Sequence, residues 1–122
     1  MYLKDIEADT IANSYFRTVI YTDERLQLVL MSLAPGEEIG METHDLDQFI
    51  RIEQGEGRAV LNGDTHELRD GAVVVVPKGI SHNIINTSST SPLKLYTIYT
   101  PPNHPKGTIH RTKLEADAAE RG

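Results

Sequence analysis

The sequence predicts an all-β fold, a small barrel or sandwich, on three observations. Short runs rich in β-branched and aromatic residues, such as 49–53, 72–76 and 93–99, recur between turn signals at a spacing of roughly ten residues. Asn62-Gly63 supplies the two residues of positive φ that a type I′ hairpin turn needs. The apolar run 26–33 is too short and too rich in β-formers for a helix, and Pro35-Gly36 stops it.

Taken in order, a short helix or turn near residues 9–14 leads into a first strand over 15–21, where Tyr15, Phe16, Thr18, Val19, Ile20 and Tyr21 all favour the pleated conformation. The second strand, 26–33, is apolar throughout and reads as buried on both faces. Pro35-Gly36, Gly55-Glu56-Gly57, Asn62-Gly63-Asp64, Asp70-Gly71, Pro77-Lys78-Gly79 and the stretch from Ser88 to Pro92 then punctuate strands over 49–53, 58–61, 72–76, 80–86 and 93–99. His66, just past the hairpin turn, reads as an exposed strand residue. Pro101, Pro102 and Pro105 cannot donate ladder hydrogen bonds, so the barrel is expected to end at about residue 100. Beyond it, Thr112-Lys113-Leu114-Glu115 has the form of a capping box, and the Ala-rich 116–120 that follows favours a short C-terminal helix. The expectation is one domain over 1–122, with its barrel core at about 15–100.

Composition narrows the function. A chain of 122 residues supports one hydrophobic core, and the absence of Cys excludes disulfides. A formal charge of −6 opposes a sequence-independent grip on phosphates, so nucleic acid is not an expected partner. Nothing marks export or a membrane span, which makes the cytoplasm the expected location. Exposed barrel edges and the two-sided apolar run 26–33 predict a homodimer.

Side chains on a strand alternate faces, so Glu42, His44 and Gln48 share a parity with Ile50 and Ile52, provided the intervening loop keeps register. A polar group in that company needs a partner, since leaving one buried and unpaired costs about 1–3 kcal/mol. Metal, ligand or water could each satisfy it. His82, Ile84 and Asn86 share one face of a later strand, and His82 can point into the same interior.

These residues carry a resemblance. Pro35-Gly36, Glu42-Thr43-His44, Gln48 and Gly55-Glu56-Gly57 resemble the first cupin motif, while Gly71, Pro77, Gly79, His82 and Asn86 fall where the second cupin motif places them. The resemblance implies a double-stranded β-helix (jelly-roll barrel), a central divalent metal held by residues of both motifs, and frequent dimerisation. Cupins of this kind usually offer His, His and Glu in the first motif and a further His in the second, whereas this chain offers Glu42, His44, Gln48 and His82. A single carboxylate is therefore kept, in a different place. Glu42 with His44 and His82 makes a 2-His-1-carboxylate set suited to Fe or Mn, with Zn or Ni also possible, and Gln48 is either a fourth ligand through its carbonyl oxygen or a donor to bound water or substrate. The tail from Leu95 to His110 resembles small single-domain cupins described as mannose-6-phosphate isomerase-like, a fold analogy that does not fix a reaction.

Each residue also has a plainer role. His44 and His82 could be structural histidines, Glu42 a solvent-facing residue at the mouth, and Tyr96 and Tyr99 barrel packing. His104 and His110, in the Pro-rich tail, read as surface positions, with a lid over the mouth as the alternative. The leading expectation is a metal-dependent enzyme acting as a Lewis acid on a small oxygen-rich substrate, in isomerase-like chemistry. The alternatives are an Fe(II) dioxygenase-like enzyme and a non-catalytic module that binds or senses a small ligand. No catalytic residue beyond the ligands is identifiable.

Overall fold

Residues 1–121 are described by the structure, a computed structural model of the chain. A first helix, α1 (Ile6–Ala12), starts earlier than the expected 9–14 because Asp5 caps it, its carboxylate accepting from the Ala8 amide at 3.0 Å. Nine strands follow among the described residues: β1 (Arg17–Thr22), β2 (Gln27–Leu33), β3 (Asp47–Gln54), β4 (Gly57–Leu61), β5 (Asp64–Leu68), β6 (Val73–Val76), β7 (His82–Asn86), β8 (Leu93–Thr100) and β9 (Ile109–His110). A second helix, α2 (Lys113–Arg121), ends the description. Half of the capping box that predicts α2 is formed: the Glu115 amide donates to Thr112 Oγ1 at 3.1 Å, while Glu115 Oε1 reaches one residue further back and accepts from the Arg111 amide at 3.1 Å.

The strands form two antiparallel sheets, one of order β6-β3-β8-β2-β1-β9 and one of order β5-β4-β7. This is the jelly-roll architecture, with a short C-terminal helix. Isolated bridges pairing Glu38 with Ile85 and Glu42 with His82 lay the segment after Pro35-Gly36 along β7, extending the small sheet. Gly57 is required where the sheets converge, because a Cβ there would stand 2.6 Å from the Ile85 carbonyl oxygen. All of β2 is buried, as its sequence predicts. One of its faces looks into the core with Val29, Met31 and Leu33, while α1 packs across β2, β3 and β8.

The barrel does not end at Thr100. Past the prolines the chain returns as β9, pairing Ile109 with Thr18 and His110 with Arg17, since a proline removes a donor only at its own position. Gln27 ties this return to the barrel. Its fully buried amide accepts from the Asn103 and His104 backbone N–H groups and donates to the His104 carbonyl at 2.7 Å. Asn86 does similar work at the opposite end of β7, donating to the carbonyls of Leu33, Ala34 and Ser91 and accepting from the Ser88 amide. It shares the parity of His82, but its amide closes loops and contributes nothing to the candidate site.

Candidate metal centre

The site is assembled by backbone pairing. Glu42 and His82 face each other as a hydrogen-bonded antiparallel pair, with N–H to O distances of 2.8 and 2.9 Å in the two directions. Their side chains therefore emerge side by side. His44 lies two residues on from Glu42 with the same parity, its carbonyl fixed by the Gly79 amide at 2.9 Å. One ligand atom from each of Glu42, His44 and His82 lies within 4.8 Å of the others. Around an ion bonded at about 2.1 Å, neighbouring ligand atoms stand about 3 Å apart, so small side-chain rotations close the set.

The hydrogen bonds decide which atom each residue offers. His82 Nδ1 lies 2.9 Å from the Ile80 carbonyl, which can only accept, so the proton is on Nδ1 and Nε2 presents a lone pair. That Nε2 is buried without a partner among the described residues. His44 Nε2 is likewise buried and makes no hydrogen bond of acceptable angle, although the Glu42 carboxylate stands 3.3 Å away. Thr97 settles the amide of Gln48: its hydroxyl donates to the Phe49 carbonyl at 2.9 Å and so must accept from Gln48 Nε2 at 3.0 Å. Gln48 Oε1 is left in the interior with no donor. One of the two amide N–H groups of Gln48 is taken up by Thr97, and the oxygen is the atom of the amide without a partner among the described residues.

Rings line the interior in sequence. His82 packs 5.3 Å from His44, His44 meets Tyr99 edge-on at 5.9 Å, and Tyr99 meets His104 edge-on at 5.5 Å. Burial and the Glu42 charge push the Tyr99 hydroxyl well above its ordinary pKa, keeping it protonated. Burial, reinforced by the Arg17 charge, takes His104 down to about 4, so it is neutral. Burial also pushes the Glu42 carboxyl up, but the contact with His44 and the charges of His44, Arg17 and His82 outweigh it and hold the group below the usual carboxylate range. His66 is exposed on β5, and Tyr96 stacks on Phe49 at 6.3 Å, away from these rings.

Sequence reasoning placed Glu42, His44, Gln48 and His82 on one interior; the structure groups Glu42, His44 and His82, and buries Gln48 on β3 opposite Tyr99, whose ring meets His44. The sequence reading left Thr97 and Arg17 without a role and took His104 as a surface position or part of a lid. Thr97 orients Gln48, His104 closes the ring series beyond Tyr99, and Arg17 is a charged side chain on the inward face of β1. The signal for Arg17 was available: it shares parity with Val19 inside a run of strand formers, where a charge is out of place.

A family model of the cupin domain matches residues 29–99. The uncharacterized protein YrkC of Bacillus subtilis (strain 168) is 48% identical, the match covering 98% of this chain and 67% of that protein. The uncharacterized protein L612 of Acanthamoeba polyphaga mimivirus is 50% identical over 89% of this chain and 71% of its own length. The crystal structure of BH2720 from Bacillus halodurans superposes with a TM-score of 0.93 at 42% identity, covering 96% of this chain and 93% of that one. With both motifs on one jelly-roll interior and a domain match spanning most of the strands, this chain belongs to the cupin family.

Proposed function

We propose that the protein holds one divalent ion through Glu42, His44 and His82, with Gln48 Oε1 as a fourth donor, and acts on a small oxygen-rich molecule. One observation carries this reading: two buried acceptor atoms of the same interior, His82 Nε2 and Gln48 Oε1, are without partners among the described residues, and His44 Nε2 has only the Glu42 carboxylate beside it at 3.3 Å. Orphaned buried polar atoms are rare in folded proteins, and acceptors gathered beside a carboxylate suit an occupant that takes lone pairs. A bound ion would supply Lewis-acid polarisation of a carbonyl or hydroxyl oxygen. The chain's own residues do the rest. Glu42 balances part of the charge, Tyr99 keeps a protonated ring wall against His44, and the Ile80 carbonyl fixes the tautomer of His82. An isomerase-like proton transfer suits such a site, and a homodimer through the exposed β6 edge completes the proposal.

Elemental analysis of protein expressed with Mn, Fe, Zn and Ni in the medium is expected to find close to one ion per chain, and His82→Ala to abolish it. Protein without metal from such a medium, with melting temperatures unaffected by added ions, would refute the proposal. Dioxygen uptake confined to the Fe form would replace Lewis-acid chemistry by an oxygenase; binding without turnover in every metal form would leave a sensor.

A further inference from the structure

Arg17 is a buried cation outside every ion pair of the described residues. It lies on the inward face of β1 and is 2% exposed, yet no carboxylate among the described residues comes within ion-pair distance of it. A guanidinium has five N–H donors. One terminal nitrogen meets His110 Nδ1 at 2.9 Å, and the Phe16 ring lies 5.3 Å from the guanidinium carbon, but the buried Nε–H has no acceptor. Burying a charge without a counter-charge is costly, and a neutral residue could hold His110 as well.

A pocket of about 220 Å³ adjoins this side chain, with Arg17, Gly40 and Glu42 on the barrel side and Lys113, Asp117 and Glu120 on α2. Glu42 thus belongs both to this pocket and to the metal cluster. Lys113 is already engaged, its Nζ lying 3.2 Å from Asp117. Arg17 is the cation left available, and it faces the pocket.

We infer that this pocket is a carboxylate subsite, in which the Arg17 guanidinium binds the carboxylate of a small hydroxy or keto acid whose other oxygen reaches the Glu42–His44–His82 cluster. The inference rests on the proposed metal centre and names its substrate class. An ion of +2, Glu42, Asp117 and Glu120 at −1 each, and Arg17 and Lys113 at +1 each leave the loaded pocket at +1, which favours a monoanion. The planar fork of a guanidinium matches a carboxylate with two parallel hydrogen bonds. A phosphate dianion fits less well, because the free cation is single and the rim carries Asp117 and Glu120. The volume lies below the roughly 300–1,000 Å³ of pockets for drug-sized ligands, which limits the occupant to an acid of a few carbons.

The test uses glycolate, its neutral isostere glycolamide and inorganic phosphate, titrated calorimetrically into Zn²⁺-loaded and metal-free protein, with Zn²⁺ affinity measured separately. Glycolate is expected to bind the loaded protein at least about ten-fold more tightly than either competitor. Arg17→Met should weaken glycolate by about 30-fold or more while leaving Zn²⁺ binding at least as tight as in wild type, since the variant removes a cation from the neighbourhood of Glu42. If Arg17→Met does not fold, the wild-type Arg17 ¹⁵Nε–H resonance serves in its place, and glycolate but not glycolamide should shift it. Zn²⁺ binding with no glycolate preference, or with phosphate preferred, overturns the carboxylate subsite and leaves the metal centre standing. If Zn²⁺ does not bind, the metal centre fails; the metal-free titration then upholds the subsite if glycolate outcompetes glycolamide through Arg17, and overturns it otherwise.

Discussion

Replacing Thr97 by Val separates the orientation of Gln48 from its presence. The two side chains are nearly isosteric, so the completely buried position gains no cavity and loses only a hydroxyl. That hydroxyl accepts from Gln48 Nε2 at 3.0 Å and donates to the Phe49 carbonyl at 2.9 Å. Phe49 sits in the β3–β8 ladder opposite Ile98, where its carbonyl has other partners nearby, so the main loss falls on the Gln48 amide. A buried donor without an acceptor costs about 1–3 kcal/mol. For a domain of this size each kcal/mol is worth about 4 °C, so the metal-free variant should melt about 4–12 °C below wild type. The second effect is on the ion. Once Nε2 is released, nothing holds Oε1 toward the imidazoles, and loss of such an orienting partner typically lowers metal affinity about 10–100-fold. Competition with a fluorescent Zn²⁺ indicator measures this, with Thr97→Ser, which keeps the hydroxyl, as the control that should retain near-native affinity. Wild-type melting and affinity in Thr97→Val would show that the relay does not set the amide.

His104 makes the closing tail acid-sensitive. Its pKa falls from 6.5 unfolded to about 4 folded, so the unfolded chain binds the proton first and stability is lost as pH drops from about 6.5 toward 4. In EDTA, His104→Asn should flatten that part of the stability profile while keeping the tail in place, because Gln27 grips the His104 backbone; an unchanged profile would mean that this ring is not the sensitive group. Gln48→Glu adds a second carboxylate to the donor set and should raise affinity for hard cations such as Mn²⁺ by at least about ten-fold, whereas no change would remove Gln48 from the site. A dimer through the β6 edge, where Val73 and Val75 are 47% and 63% exposed, should sediment as a pair at micromolar concentration and fall apart in Val75→Arg. A wild-type species of 13.6 kDa would refute it.

Much of this was legible because it depends on local rules. Turn chemistry marked most strand boundaries to within a few residues, and alternation put Gln48 beside Ile50 and Ile52 and His82 beside Ile84. The short strand β9 was not legible, since two residues carry no period and its pairing with β1 is made across more than ninety positions of sequence. The homodimer argument from β2 lost its premise for a similar reason: α1 covers the outside of that sheet, a contact no local pattern announces. Thr97 was missed because its significance lies in the Gln48 amide it holds, a contact visible only once distant strands are brought together.

The register of the sheets explains how one barrel can carry so polar an interior. Along β3 the inward side chains run Gln48, Ile50, Ile52; along β8, which is antiparallel to it, they run Tyr99, Thr97, Leu95; and the pairings are Gln48 with Tyr99, Ile50 with Thr97 and Ile52 with Leu95. On β7, His82 precedes Ile84, which sits opposite Ala59. β3 and β8 thus change from polar to apolar in the same direction, and Glu42, His44 and His82 join the polar end while Leu33, Leu93 and Leu95 pack the other. The hydrophobic effect is proportional to the apolar area removed from water and not to its symmetry, so a core concentrated at one end can stabilise the whole barrel. The polar end is then free to keep atoms without partners. Residues that only held the fold together would be selected to satisfy one another, as Asn86 and Gln27 do with their surroundings. His44, His82 and Gln48 each leave a buried nitrogen or oxygen without a hydrogen bond on one interior, and that shared deficiency is what the proposed ion would relieve.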